Sequence, residues 1–200
     1  MTKRGDSHTH TYTPCRGETS HARFRLARRG AFTLIELLVV ISIIGLMSTI
    51  AVVSLGSARM NARNTTRKAN LTQIAKALEA YNIDNGGYPS TGGTANWHGA
   101  CTNFGPYPDT GAGAWIPGFQ NYIVQLPHDP YTNKVNSNSQ WPACTATPAS
   151  TCYLYTSNGT DYKLLAHCTP EGSVNANDPF YDTARPNFAY QISTPGAAAW

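Results

Sequence analysis

The chain has 200 residues, 41% hydrophobic and 13% charged, enough for one modest domain plus a membrane segment. Its net charge of +4 is unevenly placed: residues 1–30 hold seven Lys/Arg against Asp6 and Glu18, a net of +5, and the remainder sums to −1. The basic balance therefore belongs to the first residues, which argues against a nucleic-acid partner for the folded part.

Residues 1–27 show no periodicity, and their Thr, His, Arg, Gly and Pro content predicts a disordered leader. From Phe32 to Leu55 the chain carries one charge, Glu36, over a length that gives about 36 Å of helix and crosses a bilayer. Basic residues directly before such a span stay in the cytoplasm, so residues beyond about 56 are expected outside. A carboxylate inside a span costs about 2.5–3.5 kcal/mol on insertion scales, which marks Glu36 as a functional candidate.

The helix is expected to continue. Ala58 to Asn82 has no Pro or Gly, and Leu71, Ile74, Ala75, Leu78 and Tyr81 recur at helical spacing as one apolar stripe. Asn85-Gly86-Gly87 and Pro89 supply the stop, giving one helix of roughly 75 Å. Arg59, Arg63, Arg67 and Lys68 stand near i, i+4, i+8 and read first as a solvated or headgroup-facing strip, then as filament ion pairs.

From Gly86 to Gly118 the composition predicts a long ordered loop, and residues 121–126 a short helix or strand. Cys152–Thr156 and Tyr162–Cys168 alternate as strands around a Ser157–Asp161 turn, and Asn187–Ile192 adds a last strand. The four cysteines beyond the leader, Cys101, Cys144, Cys152 and Cys168, form an even set that favours two disulfides outside the cytoplasm. Pairing 154 with 166 and 156 with 164 sets Cys152 opposite Cys168 and leaves Cys101 with Cys144. This is one of the three connectivities that four cysteines allow. Without Cys-x-x-Cys there is no zinc signature, and no catalytic arrangement stands out: His98, His128 and His167 are isolated, and the serines lack a nucleophile elbow. Trp97, Trp115, Trp141 and Trp200 are expected to pack under loops or between subunits.

The run Arg28-Arg29-Gly30-Ala31-Phe32-Thr33-Leu34-Ile35-Glu36-Leu37-Leu38-Val39-Val40 resembles the type III signal of type IV pilins and type II secretion pseudopilins, a glycine cut site followed by Phe-Thr-Leu-Ile-Glu. The resemblance covers Arg28 to about Ser90. Two later stretches, Tyr81–Pro89 and Leu126-Pro127-His128-Asp129-Pro130-Tyr131-Thr132-Asn133, resemble the major pseudopilin's helix exit and its Leu-Pro-x-Asp-Pro segment.

The resemblance implies an α+β, pilin-like fold: a long N-terminal helix packed on a small antiparallel sheet with long loops. Its parts would be a leader removed by prepilin peptidase (1–30), a transmembrane half-helix (31–56), an amphipathic half (57–84) and a globular head (85–200). Cleavage falls at Gly30–Ala31, which keeps the preferred glycine, or at Ala31–Phe32, which keeps the glutamate fifth; the glycine favours the first, and the new amine would be methylated. Glu36 would then meet a neighbour's terminal amine during assembly. The leader is longer than the family's usual one, which leaves the start codon open.

The implied role is a structural pseudopilin for protein secretion, with a surface pilin for adhesion, motility or DNA uptake as the alternative and a membrane-anchored enzyme or receptor as a remote one. The implied partners are other pseudopilins, prepilin peptidase, an inner-membrane assembly platform with its ATPase, and the lipid bilayer; no nucleic acid is expected. The implied location is the inner membrane, single-pass, then the filament. No cofactor is expected. Calcium, which major pseudopilins often hold beyond the Leu-Pro-x-Asp-Pro segment, lacks its loop spacing here, although Asp129, Asn158, Asp161 and Asp178 offer oxygens.

Overall fold

A computed structural model describes residues 30, 32–105, 107–132, 134–136, 142–145 and 151–200, without the side chains of residues 50–54, 142 and 143. The chain forms two compact units, Met1–Gly45 and Leu46–Trp200. Helix α1 (Leu34–Asn85) begins in the first and ends in the second. Its end follows from glycine chemistry: Gly86 takes φ +72 and its N–H bonds the Asn82 carbonyl at 2.8 Å, a left-handed cap closed to most other residues.

In the second unit four strands form an antiparallel sheet in chain order: β1 (His98–Gly99), β2 (Cys152–Ser157), β3 (Tyr162–His167) and β4 (Ala189–Ser193). A four-residue helix α2 (Pro142–Thr145) lies in the connection between β1 and β2. The fold is thus the expected α+β arrangement, a long N-terminal helix with a small antiparallel sheet. Leu71, Ile74 and Leu78 of α1 are fully buried and share a core with Trp115, Phe119, Leu126, Tyr155 and Leu164. Each such side chain contributes about 1.5–3 kcal/mol through the apolar surface it removes from water. Ala75 and Tyr81, the other members of the expected stripe, are half-buried.

The opposite face of the sheet is covered as well. Leu154, Leu165, Ala189 and the Cys101 and Cys152 side chains form a second apolar cluster under Trp97 and Phe104. Gly99 allows that cover: a Cβ there would stand 2.5 Å from Leu154 Cδ2 and 3.0 Å from the Tyr153 carbonyl. That stretch of the expected loop, residues 97–104, is therefore part of the core wall. Strand β1 was not expected in it. Residues 121–126, expected as a short helix or strand, form turns instead, held by the Tyr122 and Ile123 N–H groups on the Phe119 carbonyl.

The hairpin register and the disulfides depart from expectation together. Leu154 pairs with Leu165 and Thr156 with Lys163, one residue away from the expected partners. The cause is the turn. Ser157 and Tyr162 form the last pair, and residues 158–161 close a four-residue loop in which Asn158 Oδ1 accepts the N–H groups of Thr160 and Asp161. Because side chains alternate with period two, that slip places His167, not Cys168, opposite Cys152. The observed disulfides are Cys101–Cys152 and Cys144–Cys168, with Cα separations of 5.8 and 5.2 Å. All four expected cysteines are bonded, but the expected pairing is replaced.

Candidate processing and assembly site

The N-terminal signal is built around a reciprocal cap. Thr33 stands immediately before α1 and Glu36 three residues later. The Thr33 N–H and hydroxyl both donate to Glu36 Oε2 at 3.0 and 2.8 Å, while the Glu36 N–H reaches Thr33 Oγ1 at 3.3 Å. This capping box satisfies donors that the first helical turn leaves open. The sequence carried its signature, Thr-x-x-Glu before an apolar run, and a functional reading of the glutamate alone passes over it. Glu36 Oε1 has no partner among the described residues.

Gly30 is exposed and Phe32 is 88% exposed; Ala31 lies outside the described residues. Leu34, Ile35, Leu37, Leu38 and Ile41 are exposed in the single chain, so this stretch presents apolar surface left uncovered among the described residues. Among the described residues, no helix is long and apolar enough to cross a membrane. The side chains of residues 50–54, inside the expected span, lie outside that description.

The basic set takes a different place from the expected strip. Only Arg59 is exposed. Arg67 is fully buried, its Nε bonding Asp129 Oδ2 at 2.7 Å, its Nη2 reaching Asp129 Oδ1 at 3.2 Å and its Nη1 bonding Glu171 Oε1 at 2.8 Å. Arg63 forks onto the same Glu171, and Lys68 pairs with Asp178. Tyr131 lies beneath both guanidinium groups, 5.0 Å from Arg63 Cζ and 5.9 Å from Arg67 Cζ. These are bonds within the second unit. Helical spacing lines the cations up; whether carboxylates face them depends on loops 62 to 110 residues away.

This also explains the Leu-Pro-x-Asp-Pro segment physically. Leu126 enters the core, and Asp129 both receives Arg67 and accepts the Tyr131 N–H at 2.7 Å. Of the candidate oxygens for calcium, those of Asp129 are committed to Arg67, Asp178 to Lys68, and Asn158 to the hairpin turn.

Burial works to raise the Glu171 carboxyl, but hydrogen bonds from Arg63 and Arg67 outweigh it and hold the group below its ordinary value of 4.5. Asp178 is held low in the same way, burial opposed by Lys68. A depressed folded-state pKa gives stability that is complete above the unfolded value and lost as pH falls through the folded one. Denaturant midpoints measured at stepped pH should therefore decline once pH drops below about 4.5, and Glu171→Gln should flatten that decline.

The histidines do not converge. His98 stacks on Tyr107 at 4.2 Å and burial pushes its imidazole down; His128 pairs with Asp109; His167 sits between Phe104 and Phe188. Trp115 is buried in the core, Trp97 lies under the Arg185 guanidinium at 4.9 Å, and Trp141 falls outside the described residues.

Residues 26–52 match the family model of the prokaryotic N-terminal methylation motif. Type II secretion system core protein G of Pseudomonas aeruginosa is 39% identical over 64 residues, 32% of this chain and 45% of that protein. The protein of the same name from Aeromonas hydrophila is 30% identical over 110 residues, 53% of this chain and 70% of that protein. The type IV wide pilus major component PilA4 of Thermus thermophilus is 44% identical over 59 residues, 30% of this chain and 45% of that protein. The chain thus spans less than half of two of these relatives and over two thirds of the third. No solved structure matches it. With the methylation signal, the long capped helix and an Aeromonas relative aligned over most of its own length, the chain belongs to the family of type II secretion system core protein G, the pseudopilins.

Proposed function

We propose that the chain is a structural subunit of an extracytoplasmic pseudopilus that serves protein secretion. Prepilin peptidase removes the leader at Gly30–Ala31 or Ala31–Phe32, and the new amine is methylated. The segment 31–56 anchors the subunit in the inner membrane, with the leader in the cytoplasm and the head outside, until an assembly platform and its ATPase extract it. Residues 57–84 carry the amphipathic half of the helix and residues 85–200 the head. The role needs no catalysis by this chain.

The observation that carries this reading is the extent of the Aeromonas match. It takes in 53% of the chain, more than the leader and α1 together, so the likeness reaches into the head. The match to the Thermus pilus component, over 59 residues, favours a surface pilus as the second reading.

Glu36 supplies the assembly chemistry. A terminal ammonium among apolar helices is costly unless paired. Both Thr33 bonds fall on Glu36 Oε2, so Oε1 can receive the amine of a neighbouring subunit while the cap stays in place. Such a pair would select axial register as a buried polar pair does in a coiled coil.

Deleting the chain from its host should abolish export of the secreted proteins and leave surface fibres intact; loss of fibres with secretion preserved would establish the pilus instead. A copy carrying Glu36→Ala should be inserted and processed yet fail to restore secretion or join filaments. Normal incorporation of that variant would defeat the assembly role.

A further inference from the structure

The Cys144–Cys168 disulfide lies against His167. The two Sγ atoms and a ring nitrogen of His167 all lie within 4.8 Å of one another, with Nε2 at 4.0 Å from Cys168 Sγ. Neighbouring residues on a strand point to opposite faces, so His167 and Cys168 should diverge. They converge because Cys168, just past the end of β3, takes φ +59, a left-handed backbone disfavoured for any residue with a Cβ. Its N–H is held there by the Phe188 carbonyl at 2.8 Å.

A second observation points to the same place. Among the described residues, the other non-glycine residue with positive φ is Asn187, at φ +68. Asn187 and His167 line one cleft of about 580 Å³ with Arg185, Phe188 and Trp200. Backbone outliers that gather beside a ligand-type cluster and an open cleft are a reason to look for a site. The cleft gives His167 a path to solvent, while Phe104 and Phe188 hold its ring edge-to-face at 5.2 and 5.9 Å.

We propose that reduction of the Cys144–Cys168 bond turns this cluster into a site for a soft divalent cation of the zinc class, with Cys144, Cys168 and His167 as ligands and the fourth position open to the cleft. A dithiol reductant supplies two electrons and two protons; the S–S bond breaks, two thiols form, and the reductant leaves as its own disulfide. Each thiol then gives its proton to solvent as the cation binds. The Cα separation of 5.2 Å lets both sulfurs reach one ion, since a tetrahedral centre with metal–sulfur bonds of about 2.3 Å spaces them about 3.8 Å apart.

Charge and softness agree with this assignment. Both cysteines are fully buried and His167 is 6% exposed, so an uncompensated charge would be costly. Two thiolates and a neutral imidazole cancel a divalent ion completely. Sulfur and imidazole ligands favour zinc-like ions over calcium and magnesium, which seek oxygen. The disulfide is the gate: while it stands, the sulfurs are not thiolates and the site does not exist.

The test uses the full chain in detergent micelles with Cys15 replaced by serine, reduced until non-reducing peptide maps show Cys144–Cys168 open and Cys101–Cys152 intact. Cobalt(II) is the probe, added without oxygen after the reductant is removed. Expected are one cobalt per reduced chain with thiolate charge-transfer absorption, none in the oxidised chain, and at least about tenfold weaker binding in His167→Ala. Absence of the band, or equal binding by His167→Ala, overturns the proposal. A chain that loses its far-ultraviolet dichroism on reduction and binds through free thiols shows that second result, and counts against it.

Discussion

Replacing Arg67 by alanine is expected to destabilise the head by about 3–5 kcal/mol, seen as a lower denaturant midpoint with an unchanged slope. The size follows from what is left behind. Arg67 and Asp129 are both fully buried, and Glu171 is nearly so, with side-chain exposures of 0%, 0% and 6%. Removing the guanidinium strands the Asp129 carboxylate in the core and takes from Glu171 one of its two partners, leaving Arg63. Arg67→Lys should not rescue, since one ammonium cannot fork onto two carboxylates. Arg67→Met with Asp129→Leu should recover most of the loss, because the cost lies in the unpaired charge rather than in the missing bond. A double variant as unstable as Arg67→Ala would show that the guanidinium acts through packing on Tyr131 instead.

The second large effect lies in the disulfides. Replacing Cys101 and Cys152 by serine releases a loop of 51 residues and is expected to cost about 4 kcal/mol, against about 3 kcal/mol for the 24-residue loop of Cys144–Cys168. The first loss should exceed that estimate in practice, since the Cys101 bond also holds the cover over Leu154 and Leu165. Midpoints of the two double-serine variants decide the order. Peptides from a non-reducing digest decide the pairing: a fragment joining Cys152 to Cys168 would contradict the observed connectivity.

The long helix and its limits were legible because their causes are local. An apolar run, an alanine-rich amphipathic continuation and an Asn-Gly-Gly stop act through residues within one turn of each other. So does the Thr33–Glu36 capping box, whose spacing alone announces it. Leu71, Ile74 and Leu78 were recognisable as a buried stripe because helical period fixes which side chains share a face. The hairpin was legible as a hairpin, but its register turned on how Asn158 and Ser157 close the loop. A single residue of slip there changed the partner of Cys152.

By itself the sequence determined a capped apolar helix with one carboxylate three residues into it, a basic segment ahead of it and a cysteine-stapled head, since each depends on composition or short-range spacing. Tertiary structure alone decided which cysteines meet, why Arg63, Arg67 and Lys68 are not a solvated strip, and that His167 stands beside a bonded cysteine pair. Those outcomes depend on side chains brought together from tens of residues apart, and no local period encodes which loop supplies the opposing charge or sulfur.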